Sequence, residues 1–182
     1  MTRIPMIDKK ELLPPEHQAL YDAIAKSRGR VGGPFLALLH SPEIAERTAH
    51  LGSYLRFESR LDPKIIELAA LATARELECK HEWAAHVTHA QKAGIPLETI
   101  RLIHQRKGTE NFSSEDAQII SYAQELLRSH RVSEPTFQAL FARLDVGGLV
   151  ELTDTIGYYA MLACTLNAFD VVSVNPPEDL KI

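Results

Sequence analysis

The sequence predicts an all-α fold, a single-domain multi-helix bundle. Three observations lead there. Proline, glycine and capping residues cut the 182 residues at helix-length intervals. No segment sustains the alternation of β-branched and polar residues that marks a strand. And residues 64–93, rich in Ala and Leu, run without one Gly or Pro, the composition of a helical segment.

The elements follow in order. Residues 15–27 read as a first helix entered through Pro14-Pro15, with Leu20, Ala23 and Ile24 on its apolar side. Gly29, Gly32, Gly33 and Pro34 make a loop. Phe35 to His40 is a short helix stopped by Ser41-Pro42, and Pro42 starts another that runs to about Glu58. Asp62-Pro63 is a strong start signal: a side-chain acceptor at the N-cap, then a proline whose missing N–H costs nothing there. Helical character then continues to Ala93, where Gly94 suits a left-handed terminator. Leu97 to Gln105 is short. Ser113-Ser114-Glu115-Asp116 caps a helix to about His130, with Ile119, Ile120, Ala123, Leu126 and Leu127 as its buried stripe. Ser133-Glu134-Pro135 opens a helix to about Leu144, and Gly147-Gly148 opens the last, to about Phe169. Asn175-Pro176-Pro177 ends the fold in a tail.

Bulk properties narrow the function. Hydrophobic residues make up 45% of the chain and charged residues 24%, enough apolar material for one real core. A net charge of −4 gives no basic stripe for nucleic acid. The first ten residues lack a signal-peptide core. Glu151, Asp154 and Asp170 interrupt the apolar stretch Leu149 to Val172, so no membrane span is expected. Two distant cysteines do not make a disulfide framework, and free thiols suit a cytoplasmic protein.

The chemistry concentrates in residues 67–86. Successive helical residues turn by about 100°, so Cys79, Glu82 and His86 fall within about 60° of one another. A thiol beside an acid and a base suits nucleophilic or proton-transfer work. Cys79 has only polar sequence neighbours, Glu78, Lys80, His81 and Glu82, which suggests a polar, partly open, reactive setting. His86, one turn beyond Glu82, is the natural proton shuttle. On one straight helix Glu67 would point about 120° away from that face. Glu82, His86 and His89 at i, i+4 and i+7 have metal-ligand spacing, yet histidine in a charged helix is more often solvated, and no metal or cofactor is expected. His81 points away from this face. Trp83 reads as core and Cys164 as inert packing. Tyr54, Arg56, Tyr158 and His40 are conceivable pocket residues.

Glu67, Cys79 and His86 also carry a resemblance. Their spacing, Glu, eleven residues, Cys-x-x-x, three residues and His, resembles the carboxymuconolactone decarboxylase and alkylhydroperoxidase D-like (AhpD-like) family. Leu39-His40-Ser41-Pro42-Glu43 and Gly157-Tyr158-Tyr159-Ala160-Met161-Leu162 are similar to its longer members. Glu82 stands where the hydroperoxidase branch has its second cysteine, and matches the decarboxylase branch instead. The resemblance implies an AhpD-like domain over residues 31–172, with residues 1–30 an N-terminal extension and 173–182 a C-terminal tail. It implies a helix break just before Cys79, which would turn Glu67 toward His86 as an orienting carboxylate. It implies a homo-oligomer and a small-molecule substrate. Two chemistries are implied: hydroperoxide reduction with Cys79 as nucleophile and an external thiol as reductant, or decarboxylation of a carboxylated lactone with Glu82 and His86 as acid and base. A non-catalytic oligomeric binding protein is the third possibility.

Overall fold

The computed structural model describes residues 2–171 and 177–182. Among these there is no strand, and eight α-helices form the fold. They are α1 (Gln18–Arg28), α2 (Phe35–Leu38), α3 (Pro42–Phe57), α4 (Pro63–Glu76), α5 (Lys80–Lys92), α6 (Leu97–His104), α7 (Ser114–Ser129) and α8 (Glu134–Ala168). The all-α expectation holds, and most boundaries fall within two residues of the sequence reading.

Helix α4 is the centre of the bundle. Ten consecutive residues, Ile65 to Ala74, are buried, because α5, α7 and α8 pack around it. A helix covered on all sides has to be apolar or small all round. Ala69, Ala70, Ala72 and Ala74 meet that need and let neighbouring helices come close. Glu67 is the one ionisable side chain in this buried run, an exception that requires a partner. Asp62 starts the helix as read, accepting from the Lys64 amide at 2.8 Å.

The long Ala-rich segment is broken, at the place the resemblance implies. Glu78 takes a left-handed conformation (φ 51°). The Cys79 amide reaches back to the Ala74 carbonyl at 2.8 Å and the Glu78 amide to Arg75 at 3.4 Å, the paired bonds of a Schellman closure. Glycine is the usual occupant of that left-handed position. Here Arg75 and Arg106 both grip the Glu78 carboxylate, and Asn167 caps the Leu77 carbonyl. Tertiary contacts thus hold a turn that the local sequence does not specify.

Helix α8 contains the break read between Leu144 and Gly147. It falls at Asp145 (φ 59°, ψ −176°), whose carboxylate accepts from the Gly148 amide at 2.9 Å and pairs with Arg60 at 3.2 Å. The second half of α8 then starts afresh, with Asp145 as its cap.

Both chain ends pack onto the bundle. Ile7, Leu13 and Ile24 are buried with Phe35, Leu39, Ala45 and Ala49 in a second apolar cluster. Of the tail read from Asn175-Pro176-Pro177, the first two residues lie outside the described ones. The segment from Pro177 on is docked: Leu180 is fully buried in the main core, and its carbonyl accepts from the Trp83 indole at 2.6 Å. No described helix is long and apolar enough to cross a membrane.

Candidate active site

The turn at residues 77–79 assembles the site. On an unbroken helix Glu67 and His86, nineteen residues apart, would sit about 28 Å from each other. Folding α5 back along α4 brings the Glu67 carboxylate to 2.6 Å from His86 Nδ1. Glu82, one turn before His86, lies 3.3 Å from the other ring nitrogen, Nε2. All three side chains are buried. One imidazole therefore sits between two carboxylates with both of its nitrogens engaged.

Burial by itself would push the His86 pKa down. The charge of Glu67 and its hydrogen bond, joined by those of Glu82, overcome that and raise it to about 9. His86 is thus an imidazolium at neutral pH, able to give a proton away. The consequence for stability has a definite sign. The folded value lies above the ordinary 6.5, so the stabilisation is complete below about pH 6.5 and is lost as pH rises through about 9. That displacement corresponds to ~3 kcal/mol. Urea unfolding should show stability falling by this order between pH 6.5 and 9, and a Glu67→Gln variant should show little fall. His81 and His89, held below the ordinary range mainly by burial, weaken the fold only on the acid side.

Beside His86 lies a cavity of about 160 Å³. One of roughly 150 Å³ takes a molecule the size of benzene. Glu82, His86 and His89 form one wall, Tyr158, Tyr159 and Leu162 of α8 another, and Arg56 of α3 a third. Arg28 at the end of α1, and Arg30, Gly32 and Gly33 of the loop between α1 and α2, cover it. Among the described residues none of Arg28, Arg30 and Arg56 has a carboxylate within ion-pair distance. In a chain with more acidic than basic residues, three unneutralised guanidinium groups converge on one small space. With the imidazolium they outnumber Glu82 and Glu67, so the cavity favours an anion.

Gly33 lets the loop close. Its φ is +58°, and a Cβ there would meet His81 Nε2 at 2.7 Å. Gly33→Ala should therefore lift the loop from His81 and weaken binding of a small carboxylate such as benzoate several-fold, as read by calorimetry, at a stability cost of about 1–2 kcal/mol.

Several sequence expectations need correction. Cys79 is not in a polar, open setting. Its side chain is fully buried among Ala163, Leu166 and Val171, and it does not line the cavity. As N-cap of α5 it turns away from its polar sequence neighbours and into α8. Burial, against the help of nearby backbone amides, raises its pKa to about 11. Cys164 is exposed on α8 rather than packed. His81 does not point away but lines the cavity, because the α1–α2 loop wraps a second face of α5. Arg56 and Tyr158 do line it; Tyr54 binds Glu151 at 2.9 Å and His40 binds the Pro5 carbonyl at 2.8 Å, both elsewhere. Trp83 is core. Arg28, Arg30 and Tyr159 were not anticipated; two arginines flanking Gly29 at the mouth of a glycine-rich loop were the available signal. No group of three His, Cys, Asp or Glu side chains among the described residues is arranged to hold a metal.

Comparisons with known proteins agree with this architecture. Residues 42–117 match the carboxymuconolactone decarboxylase family model. No curated protein matches the chain. Among solved structures, the fold is similar to the alkylhydroperoxidase AhpD core of an uncharacterized peroxidase-related protein from Ralstonia eutropha JMP134. The TM-score is 0.75 at 16% identity, over 98% of this chain and 94% of that one. It is also similar to an uncharacterized peroxidase-related protein from Silicibacter sp. TM1040, with TM-score 0.72 at 14% identity, over 97% and 94%. A protein of unknown function from Agrobacterium tumefaciens gives 0.69 at 17%, over 76% and 96%. At these identities the likeness concerns the fold.

Proposed function

We propose that the chain, whose residues 42–117 match the carboxymuconolactone decarboxylase family model, is a member of that family and a proton-transfer lyase of the decarboxylase type, acting on a small carboxylated lactone. One observation carries the reading: the His86 imidazole, held between Glu67 and Glu82, forms part of the wall of an arginine-lined cavity. The arginines take the substrate's carboxylates. The bond from the ring carbon to the departing carboxylate breaks, CO₂ leaves, and the electron pair stays behind as an enolate. His86 delivers its proton to carbon, becomes neutral, and is reprotonated from solvent through its carboxylate partners. Glu67 orients the ring, and Glu82 is the second acid–base group. The test is CO₂ release from a γ-carboxylated muconolactone by the wild type and Cys79→Ser. Both should turn over alike. No release, or release that requires the thiol, overturns the proposal.

A second reading, hydroperoxide reduction, is favoured by one observation: Cys79 is the N-cap residue of α5, where the helix opening would support its thiolate. The thiolate would take the terminal hydroperoxide oxygen, the O–O bond would break, and the alcohol would leave with a proton from His86. One external thiol would then condense with the sulfenic acid to a mixed disulfide, releasing water, and a second would free Cys79 as the thiol, leaving as the external disulfide. Brief peroxide exposure with a sulfenic-acid trap, followed by peptide mass spectrometry, separates the two readings. The lyase reading expects Cys79 to be captured no faster than the exposed Cys164.

Localisation and assembly complete the proposal. Two free cysteines suit the cytoplasm. Exposed Phe137, Phe141, Val146 and Val150 near the bend of α8 offer an apolar face for homo-oligomerisation.

A further inference from the structure

Among the described residues, nine of the ten large hydrophobic side chains left exposed lie on α3 and α8. The two helices run antiparallel: Tyr54 of α3 bonds Glu151 of α8 at 2.9 Å, while Gly52, earlier on α3, seats the tip of Tyr158, later on α8. Leu55, Tyr158 and Leu162 close their inner flanks in one apolar cluster, which leaves their outer flanks side by side. On α3 the outer residues Ile44, Arg47, Leu51, Tyr54 and Glu58 are all exposed and fall within about 80° of arc. The row is nearly symmetric about Leu51: Ile44 and Glu58 stand seven residues to either side, Arg47 four before and Tyr54 three after. Neither Arg47 nor Glu58 has an oppositely charged side chain within ion-pair distance among the described residues. On α8, Gly157 is exposed in mid-helix, and a Cβ there would meet nothing within 4 Å. Glycine weakens a helix interior, and no described neighbour needs the space it leaves. A helix packed closely from outside would.

We propose that this face is the contact with a second copy of the chain, packed about a two-fold axis at Leu51, with the partner's α3 seated in the groove between α3 and α8. The inference rests on the homo-oligomer reading and gives it a face and a register. A two-fold contact must be complementary to itself, and the row on α3 is. In the antiparallel register Leu51 meets the partner's Leu51. Arg47 comes opposite the partner's Tyr54 and within reach of the partner's Glu58, and Ile44 lies against the partner's Phe57. Each Arg47 and each Glu58 thereby gains the opposite charge it lacks, twice per interface. Gly157, beside Gly52 and Leu51 across the groove, lets the incoming helix approach the α8 backbone. The size also fits. Ile44, Leu51, Tyr54, Phe57, Val150 and Met161 are each 40 to 61% exposed. Together they present roughly 600 Å², and Arg47, His50 and Glu58 at the rim bring this to about 800 Å², one partner's share of a standard interface. Through Val150 the face is continuous with the apolar bend of α8. Arg56 and Tyr158, on the inner sides of the same two helices, line the cavity, so each site lies directly behind the interface.

Sedimentation velocity over a range of micromolar concentrations tests it. The wild type should sediment as two copies or a multiple of two. Leu51→Glu and Gly157→Leu should each cut the mass at least in half with circular dichroism unchanged, because both positions are exposed in the single chain. Arg47→Glu sets like charge against the partner's Glu58 and should weaken association about 10-fold or more, and Glu58→Arg should do the same against the partner's Arg47. The double variant Arg47→Glu/Glu58→Arg should return association to within a few-fold of the wild type. If Leu51→Glu unfolds, this charge exchange between exposed side chains decides. A monomeric wild type overturns the homo-oligomer reading and this inference with it. An assembly of an odd number of copies, or one that Leu51→Glu leaves intact, overturns the face alone. A double variant that associates no better than the single ones overturns the antiparallel register.

Discussion

Replacing His86 by glutamine should lower turnover of the carboxylated lactone by roughly 10²–10⁴-fold, the worth of a positioned acid. The reason is the arrangement around the ring. Nδ1 meets Glu67 at 2.6 Å and Nε2 meets Glu82 at 3.3 Å, so His86 is placed to carry a proton between those carboxylates and the cavity. Glutamine keeps some polarity and bulk but cannot cycle a proton. The loss should appear in kcat, with KM little changed, because the arginines that hold the anion stay in place. Benzoate binding should persist in the same variant. Glu67→Gln should lose less, since it leaves the imidazole present but lowers its pKa and loosens its orientation. Steady-state kinetics on the three proteins, with circular dichroism as a check on folding, reads all of this. If His86→Gln keeps turnover within a few-fold, the acid lies elsewhere.

Trp83→Ala should be the most destabilising single change near the site, by about 3–5 kcal/mol. Trp83 is fully buried among α4, α6 and the C-terminal residues. Its indole N–H donates to the Leu180 carbonyl at 2.6 Å, so truncation opens a large cavity and also leaves an acceptor unpaired. The loss should release the chain end that Leu180 anchors. His104, bound to the Lys181 carbonyl at 2.9 Å, and Arg101, paired with Asp179 at 3.0 Å, cannot replace a buried indole. Urea unfolding gives the energy. Amide exchange at residues 177–182 gives the local effect: exchange in Trp83→Ala should be fast well below the unfolding midpoint. A variant that unfolds as cooperatively as the wild type, at nearly the same midpoint, would show that Trp83 does not tie the tail to the core.

Most of the helix plan was legible because local signals agree with the tertiary fold. Asp62-Pro63, Pro42, Ser113 and Gly94 each do in the structure what their chemistry suggests. The break after Glu76 was not legible from local chemistry. Glu78 is a poor residue for a left-handed turn, and the groups that hold it, Arg106 and Asn167, lie far along the chain. Only the family resemblance pointed there. The same distinction governs the site. Glu82 and His86 are one turn apart, so any helix brings them together, whereas Glu67 needed the break. Cys79 was misread because its sequence neighbours are polar. At an N-cap the side chain leaves the helical register, and α8 supplies apolar neighbours that the local sequence does not contain. Arg28 and Arg30 reach the cavity from the end of α1 and the α1–α2 loop, some fifty residues before α5, and no helical wheel on α5 could locate them.

The claim on which the rest depends is that His86 is an imidazolium at working pH. The measurement is an NMR titration of protein labelled with ¹⁵N-histidine, following the His86 ring nitrogens and assigned with His86→Gln. The account predicts both nitrogens protonated through neutral pH and a midpoint near 9, moving down in Glu67→Gln. A midpoint below 7 in the wild type would contradict it: His86 would then be a neutral base in its resting state, and the proton for the enolate would have to come from another group.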